Sequence, residues 1–347
     1  MSNANPIGIN LFPSALCPLP SAMTTSTYLP TTFANAIACV QQFALQVFDR
    51  QIAKKKLYYH NREHIQQVQQ RSDRIFQAIA PFWENALGTE LTRMKLLLDL
   101  CVVAHDMLQV FVPQTQPHAP RRREGGVSEF ATIDKLLRYI QAFNRQMQQQ
   151  GVDAAQFTAS DIFLIREAIE GTICSYDPTD QAIYQPILYN ANRTPSIVTR
   201  ILLLADIGSL GMDGIAVYNR EGSLLFLEEN PDIIPFLSNQ AIDNLRINNS
   251  NLHENLRQRL LRRARFQVSF ARSRLVRTPR EIEGLSSDAI PILMHNVFTY
   301  LTQETIEEIE QTTPIKEETT LEELLTFFQF EYYFNPLGSE QPNGKSY

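Results

Sequence analysis

The chain has 347 residues, of which 44 % are hydrophobic and 20 % charged, enough apolar material for a substantial core and for about two domains or one large one. A net charge of −6 disfavours nucleic acid as the main partner, and 13 glycines, about half the usual ~7 %, disfavour a loop-rich or all-β chain. Four cysteines without CxxC spacing (Cys17, Cys39, Cys101, Cys174) exclude a disulfide framework or a zinc finger and read as free thiols of a reducing compartment.

No Lys, Arg, Asp or Glu occurs before Asp49. Residues 1–30 lack a basic n-region and are broken by Pro6, Pro13, Pro18, Pro20 and Pro30, so they read as an extended arm and not as a secretory signal. A cytoplasmic location is expected. Helical period begins near Thr32, with Phe33, Ile37, Val40, Ala44 and Val47 on one face. A second helix is expected from Asn61 to Ile79, before Pro81. Thr89–Leu108 is apolar all round in its second half and predicts a buried helix; its longest apolar run, Leu96–Ala104, is far too short to span a membrane. Residues 109–126 form a loop with three prolines, Arg121-Arg122-Arg123 and Gly125-Gly126. Helical period returns over Ser128–Met147, then in a helix to Thr172 capped by Ser160 with Asp161, then over Ser196–Leu204, closed by Gly208, Gly211 and Gly214. No stretch alternates with period 2, and no internal repeat is present, so the fold class is all-α.

The C-terminal third differs in texture. Residues 251–280 hold nine arginines and one acid, and residues 304–323 hold eight glutamates and one lysine. The two blocks either face each other or are solvated helix faces. As an RNA- or phospholipid-binding surface the arginine helix is disfavoured, because Leu260, Leu261, Phe266, Val268, Phe270 and Leu275 interleave it like a packing face. Residues 336–347 are expected to be disordered, and 216–335 to form a helical extension packed on a domain spanning 31–215.

P-loop, dinucleotide, nucleophile-elbow and HExxH signatures are missing. A histidine–aspartate constellation remains. His60 and His64, four apart, share a face if their helix starts early enough; two imidazoles so placed can enter one site or be a surface coincidence. His105-Asp106 ends an apolar run, where burial of both is costly unless a metal or a His–Asp hydrogen bond satisfies them. Asp206, inside Leu-Leu-Leu-Ala-Asp-Ile, likewise needs a metal, a cap or an arginine. His253 and His295 read as structural.

Together these segments resemble the HD superfamily of metal-dependent phosphohydrolases. Tyr59-His60-Asn61-x-x-His64-x-x-x-Val68 is similar to the YHNxxHxxxV opening of small bacterial HD hydrolases, shared with cyclic-nucleotide phosphodiesterases. Ala104-His105-Asp106 is similar to the defining doublet, Glu124-Gly125-Gly126-x-x-Glu129 to the Gly/Asn-Glu segment that follows it, and Leu204-Ala205-Asp206-Ile207 to the terminal aspartate motif. The resemblance covers about residues 50–215 and implies an HD-type helical bundle. It implies that His64, His105, Asp106 and Asp206 ligate a divalent ion (Mn, Fe, Zn, Co, Ni or Mg), one per site. His60 would be a proton donor or substrate contact. Glu129 would orient or deprotonate water, against the alternative of a first-turn acid favouring the helix dipole.

The implied activity is metal-assisted hydrolysis of a phosphoester of a nucleotide or other small phosphorylated substrate. Arg121, Arg122 and Arg123 would bind its phosphate or else be solvated. The chain departs from the two-metal pattern: Met107-Leu108-Gln109-Val110 offers no further histidine, and His118 is the only later candidate nearby. That departure puts cyclic-nucleotide activity in doubt and keeps open an inactive HD-fold regulatory or ligand-binding protein. Specificity would come chiefly from the loops 109–126 and 173–195. No membrane partner is expected.

Overall fold

In a computed structural model the chain is all-α. The structure describes residues 29–84, 88–237, 239–330 and 333. Most of the N-terminal arm and the whole of the tail 336–347 lie outside the described residues. Twelve α-helices are described: α1 (Phe33–Lys55), α2 (Arg62–Ile79), α3 (Thr89–Ala104), α4 (Val127–Gln149), α5 (Ala159–Gly171), α6 (Ile197–Asp206), α7 (Ser209–Glu229), α8 (Asn239–Asn248), α9 (Ser250–Ile282), α10 (Ala289–Asn296), α11 (Gln303–Thr312) and α12 (Leu321–Phe328). A two-stranded antiparallel hairpin, β1 (Ser175–Asp177) and β2 (Ala182–Tyr184), was not expected: three-residue strands are too short to show alternation.

Local chemistry sets the helix starts. The Thr32 hydroxyl accepts the Asn35 N–H and begins α1. Asn61 does the same for His64 and begins α2. The cap of α5 is Thr158 and not Ser160: Thr158 and Asp161 form a reciprocal capping box, which puts Ser160 inside the first turn. Helices α2, α3 and α6 pack on one another, with α1 against α3 and α5 against α6. Their apolar faces meet in a large core that includes Val68, Ile75, Leu98, Cys101, Ile201 and Leu204. That core also takes Val268, Ala271, Ile282, Leu293 and Ile309, so much of the C-terminal third completes it. A second core joins the end of α7 and the first half of α9 to α12, through Phe226, Leu260, Leu324 and Phe328. The boundary at 215 thus falls inside α7.

The glycines expected to close α6 do something else. Gly208 separates α6 from α7, but α7 runs on through Gly211 and Gly214. At Gly211 the Leu301 side chain packs where a Cβ would stand. Gly214 kinks the helix at φ 84°, ψ −176°, a conformation essentially reserved for glycine, with the Tyr300 ring over it. Gly214→Ala should therefore lower stability by about 1–3 kcal/mol, read as a shift in the thermal midpoint. The stretch Ile197–Glu229 is the one among the described residues long and apolar enough by composition to cross a membrane, and most of it is buried inside the fold.

The arginine-rich and glutamate-rich blocks do meet at a few exposed points. Arg257 and Arg265 reach Glu317, and Arg272 reaches Glu310. Such pairs contribute little stability. Arg259 and Arg274 are instead buried and pair with Asp232 and Glu281.

Candidate metal centre

Three mutually packed helices bring the candidate ligands to one point. His64 lies in the first turn of α2, His105 caps the C-terminus of α3 with Asp106 next to it, and Asp206 ends α6. One ligand atom from each of the four lies within 4.8 Å of all the others. Asp106 Oδ2 is 3.0 Å from His105 Nε2 and 3.3 Å from His64 Nε2. Asp206 Oδ1 is 3.5 Å from both imidazole nitrogens. A cation with ligands at ~2.0–2.1 Å in a tetrahedron has edges of roughly 3.3 Å, and these four separations straddle that value.

Hydrogen bonding supports the same fit. His105 Nδ1 lies 2.8 Å from the Val102 carbonyl, which can only accept, so the proton sits on Nδ1 and the Nε2 lone pair faces the carboxylates. Nε2 of His105 and both ring nitrogens of His64 are buried without a hydrogen-bond partner. A lone pair facing carboxylate oxygens is repulsive unless a proton or a cation lies between them. Burial works against protonation of His64 and His105, but Asp106 and Asp206 outweigh it and hold both imidazoles above their ordinary pKa. Burial also opposes the charge on the two carboxylates, yet the histidines hold both well below the usual carboxylate range. The cluster thus demands positive charge, and a divalent ion supplies it without protons.

His60 does not share a helix face with His64. Asn61 caps α2, which leaves His60 in the preceding turn. Glu228 of α7 holds that turn: its Oε2 accepts the N–H groups of Tyr58, Tyr59 and His60 at 3.0–3.1 Å, and its Oε1 accepts a hydrogen bond from His60 Nδ1–H. His60 Nε2 then carries a lone pair, accepts from Arg123 at 3.0 Å and lies 3.6 Å from Asp106 Oδ2.

Burial alone would raise the Glu228 pKa, but His60 and Arg123 bring it down to about 2. A folded pKa below the unfolded one stabilises the fold above about pH 4.5 and is lost as pH falls toward 2, with a ceiling of about 3 kcal/mol. Glu228→Gln should therefore lower the thermal midpoint at neutral pH, and the gap from wild type should narrow between pH 5 and 3. A pH-independent gap would refute the charge's role.

One cleft of about 630 Å³ opens on the cluster, within the usual range for small-ligand sites. Asp106, Asp206 and His60 line it, with Glu129, the three loop arginines and Cys174 and Ile183 from the hairpin segment. Glu129 lies in the first turn of α4 with Oε2 buried and unpartnered. Its pKa is raised by burial and by Asp106. The three arginines behave differently. Arg121 binds the Lys55 carbonyl and lies over the Phe111 ring, so it fastens the loop to α1. Arg123 holds His60 and Gln109. The Arg122 guanidinium makes no hydrogen bond or ion pair with the described residues.

His118, His253 and His295 stand outside the four-residue group. Sequence reasoning missed Glu228; it picked out the arginine-rich helix as one that could serve a phosphate substrate, but not that Arg259, Arg262 and Arg263 are its arginines lining the cleft. A signal existed for Glu228: two glutamates close α7, where the helix dipole disfavours negative charge unless something holds it. Comparison with protein-family models, curated proteins and solved structures finds no match to this chain.

Proposed function

We propose that this chain is a metal-dependent phosphohydrolase of the HD type that cleaves a phosphoester of a nucleotide or another small phosphorylated molecule. One observation carries the reading: the buried His64 and His105 converge with the half-buried Asp106 and Asp206, and the two aspartates line an arginine-rich cleft. These four would hold one divalent ion, which supplies Lewis acidity toward a phosphoryl oxygen and lowers the pKa of water. The chain's own residues do the rest. Glu129, with its raised pKa and free oxygen, takes a proton from attacking water. Arg122 binds phosphate oxygens. His60 delivers a proton to the leaving oxygen only after taking one up at Nε2, and Arg123 must then release that atom. On this reading the protein is cytoplasmic, and no disulfide joins Cys39, Cys101 and Cys174 among the described residues.

The Arg123–His60 contact also favours a second reading, an HD-fold protein that binds a phosphorylated ligand without turnover. Elemental analysis of the purified chain, joined to a broad phosphate-ester screen before and after chelation, separates the two. Bound metal with chelator-sensitive hydrolysis supports the enzyme. Metal without hydrolysis supports the binding protein, and no metal under any loading condition sinks the site.

A further inference from the structure

Helix α9 also lines the cleft. Arg259, Arg262, Arg263 and Phe266 all line it, at spacings of three and four, so they form one stripe along the helix roughly 10 Å long. The arginines of this helix divide sharply by partner. Arg257, Arg259, Arg265, Arg272, Arg274 and Arg277 each pair with a carboxylate. Arg262 and Arg263 make no ion pair or hydrogen bond with the described residues, and Nε of Arg263 is buried without a partner. Arg263 is held over the Phe266 ring, 5.2 Å from its centroid, which fixes the guanidinium without neutralising it. Arg122 lines the same cleft and is equally unpaired. Of the three arginines on this helix left without a carboxylate among the described residues, Arg280 lies over the Tyr189 ring outside the cleft, and the other two stand in the cleft with charge available for a ligand.

We infer that Arg262 and Arg263 form an anion subsite for a second phosphate of the substrate, distinct from the one presented to the four-residue cluster. The inference rests on the phosphohydrolase reading for the first phosphate, and it makes the substrate multiply phosphorylated. Guanidinium suits this task because it meets two phosphate oxygens at once. The C-terminal third thereby sets specificity, and the His/Asp helices hold the reacting end.

Pyrophosphate and orthophosphate, titrated calorimetrically into the full chain, test this. Wild type should bind pyrophosphate at least tenfold tighter than orthophosphate. Arg262→Ala/Arg263→Ala should weaken pyrophosphate at least tenfold and orthophosphate less than twofold. Arg280→Ala, on the same helix outside the cleft, should change neither. All variants keep the four metal-binding side chains, so chelation by pyrophosphate enters equally. If the alanine pair fails to fold by circular dichroism, Arg262→Lys/Arg263→Lys replaces it, with at least a threefold loss expected because lysine offers no fork. Unchanged pyrophosphate binding in the folded variant, or an equal loss in Arg280→Ala, overturns the subsite, as does wild type without a preference. Turnover is not the readout. A chain that hydrolyses no ester yet binds pyrophosphate through the pair keeps the subsite and loses the phosphohydrolase reading; hydrolysis with pyrophosphate binding indifferent to the pair does the reverse.

Discussion

On the proposed phosphohydrolase reading, His105→Ala/Asp106→Ala should abolish divalent-ion binding and phosphate-ester turnover together, with turnover down at least ~10³-fold, since an ion's stabilisation of transition-state charge is worth several kcal/mol. Asp106 is the hub of the cluster, with Oδ2 near His105, His64 and His60, and His105 alone has its tautomer set by a backbone carbonyl. Without both, His64 and Asp206 remain, 3.5 Å apart and able to form an ordinary His–Asp pair. The stability data should therefore split. Without metal, the variant should melt close to wild type, because both members of a buried pair have been removed together. With metal in hundredfold excess over its dissociation constant, wild type should gain about 2.7 kcal/mol and the variant nothing. A variant that still melts higher with added ion would place the ion elsewhere, and one that falls apart without metal would mean that the doublet is a structural cap.

The parts legible in the sequence share one property: they are local. The helix starts near Thr32 and Asn61, the apolar run of α3 and the His-Asp doublet that ends it each depend on residues a few positions apart. Helix ends then deliver the candidate ligands to a common point once α2, α3 and α6 pack. Long-range partnerships left no such trace. Glu228 is 168 positions from His60, and only the fold shows that one carboxylate organises the whole turn 58–60. Gly211 and Gly214 looked like terminators because glycine ends helices, but here they admit Leu301 and Tyr300 against the backbone. The arginines of α9 were read as one face, since composition cannot distinguish Arg265, which finds Glu317, from Arg263, which finds no carboxylate among the described residues.

Arg71 illustrates the same limit and carries the largest expected effect on stability. It sits on α2 seven positions beyond His64, fully buried, a placement that an exposed-looking Gln-Gln-Arg-Ser segment does not announce. Its Nε meets Asp213 and its Nη2 meets Glu221, so it ties α2 to α7. Arg71→Met leaves Glu221 buried without its partner, whereas Asp213 keeps Arg74. Breaking a buried pair from one side typically costs 3–5 kcal/mol, because the surviving charge is left in a poor solvent. The expected result is a loss of about that size in denaturant unfolding. Arg71→Met/Glu221→Met should recover part of the loss, with a coupling of about 1–3 kcal/mol, since the orphaned charge then goes as well. The site should feel the change through α7, which also carries Glu228. On the proposed reading, metal affinity and turnover of the folded fraction should fall far less than in the doublet variant, because none of the four candidate ligands is touched. An Arg71→Met protein within about 1 kcal/mol of wild type would show that α2 and α7 are held by their apolar faces alone.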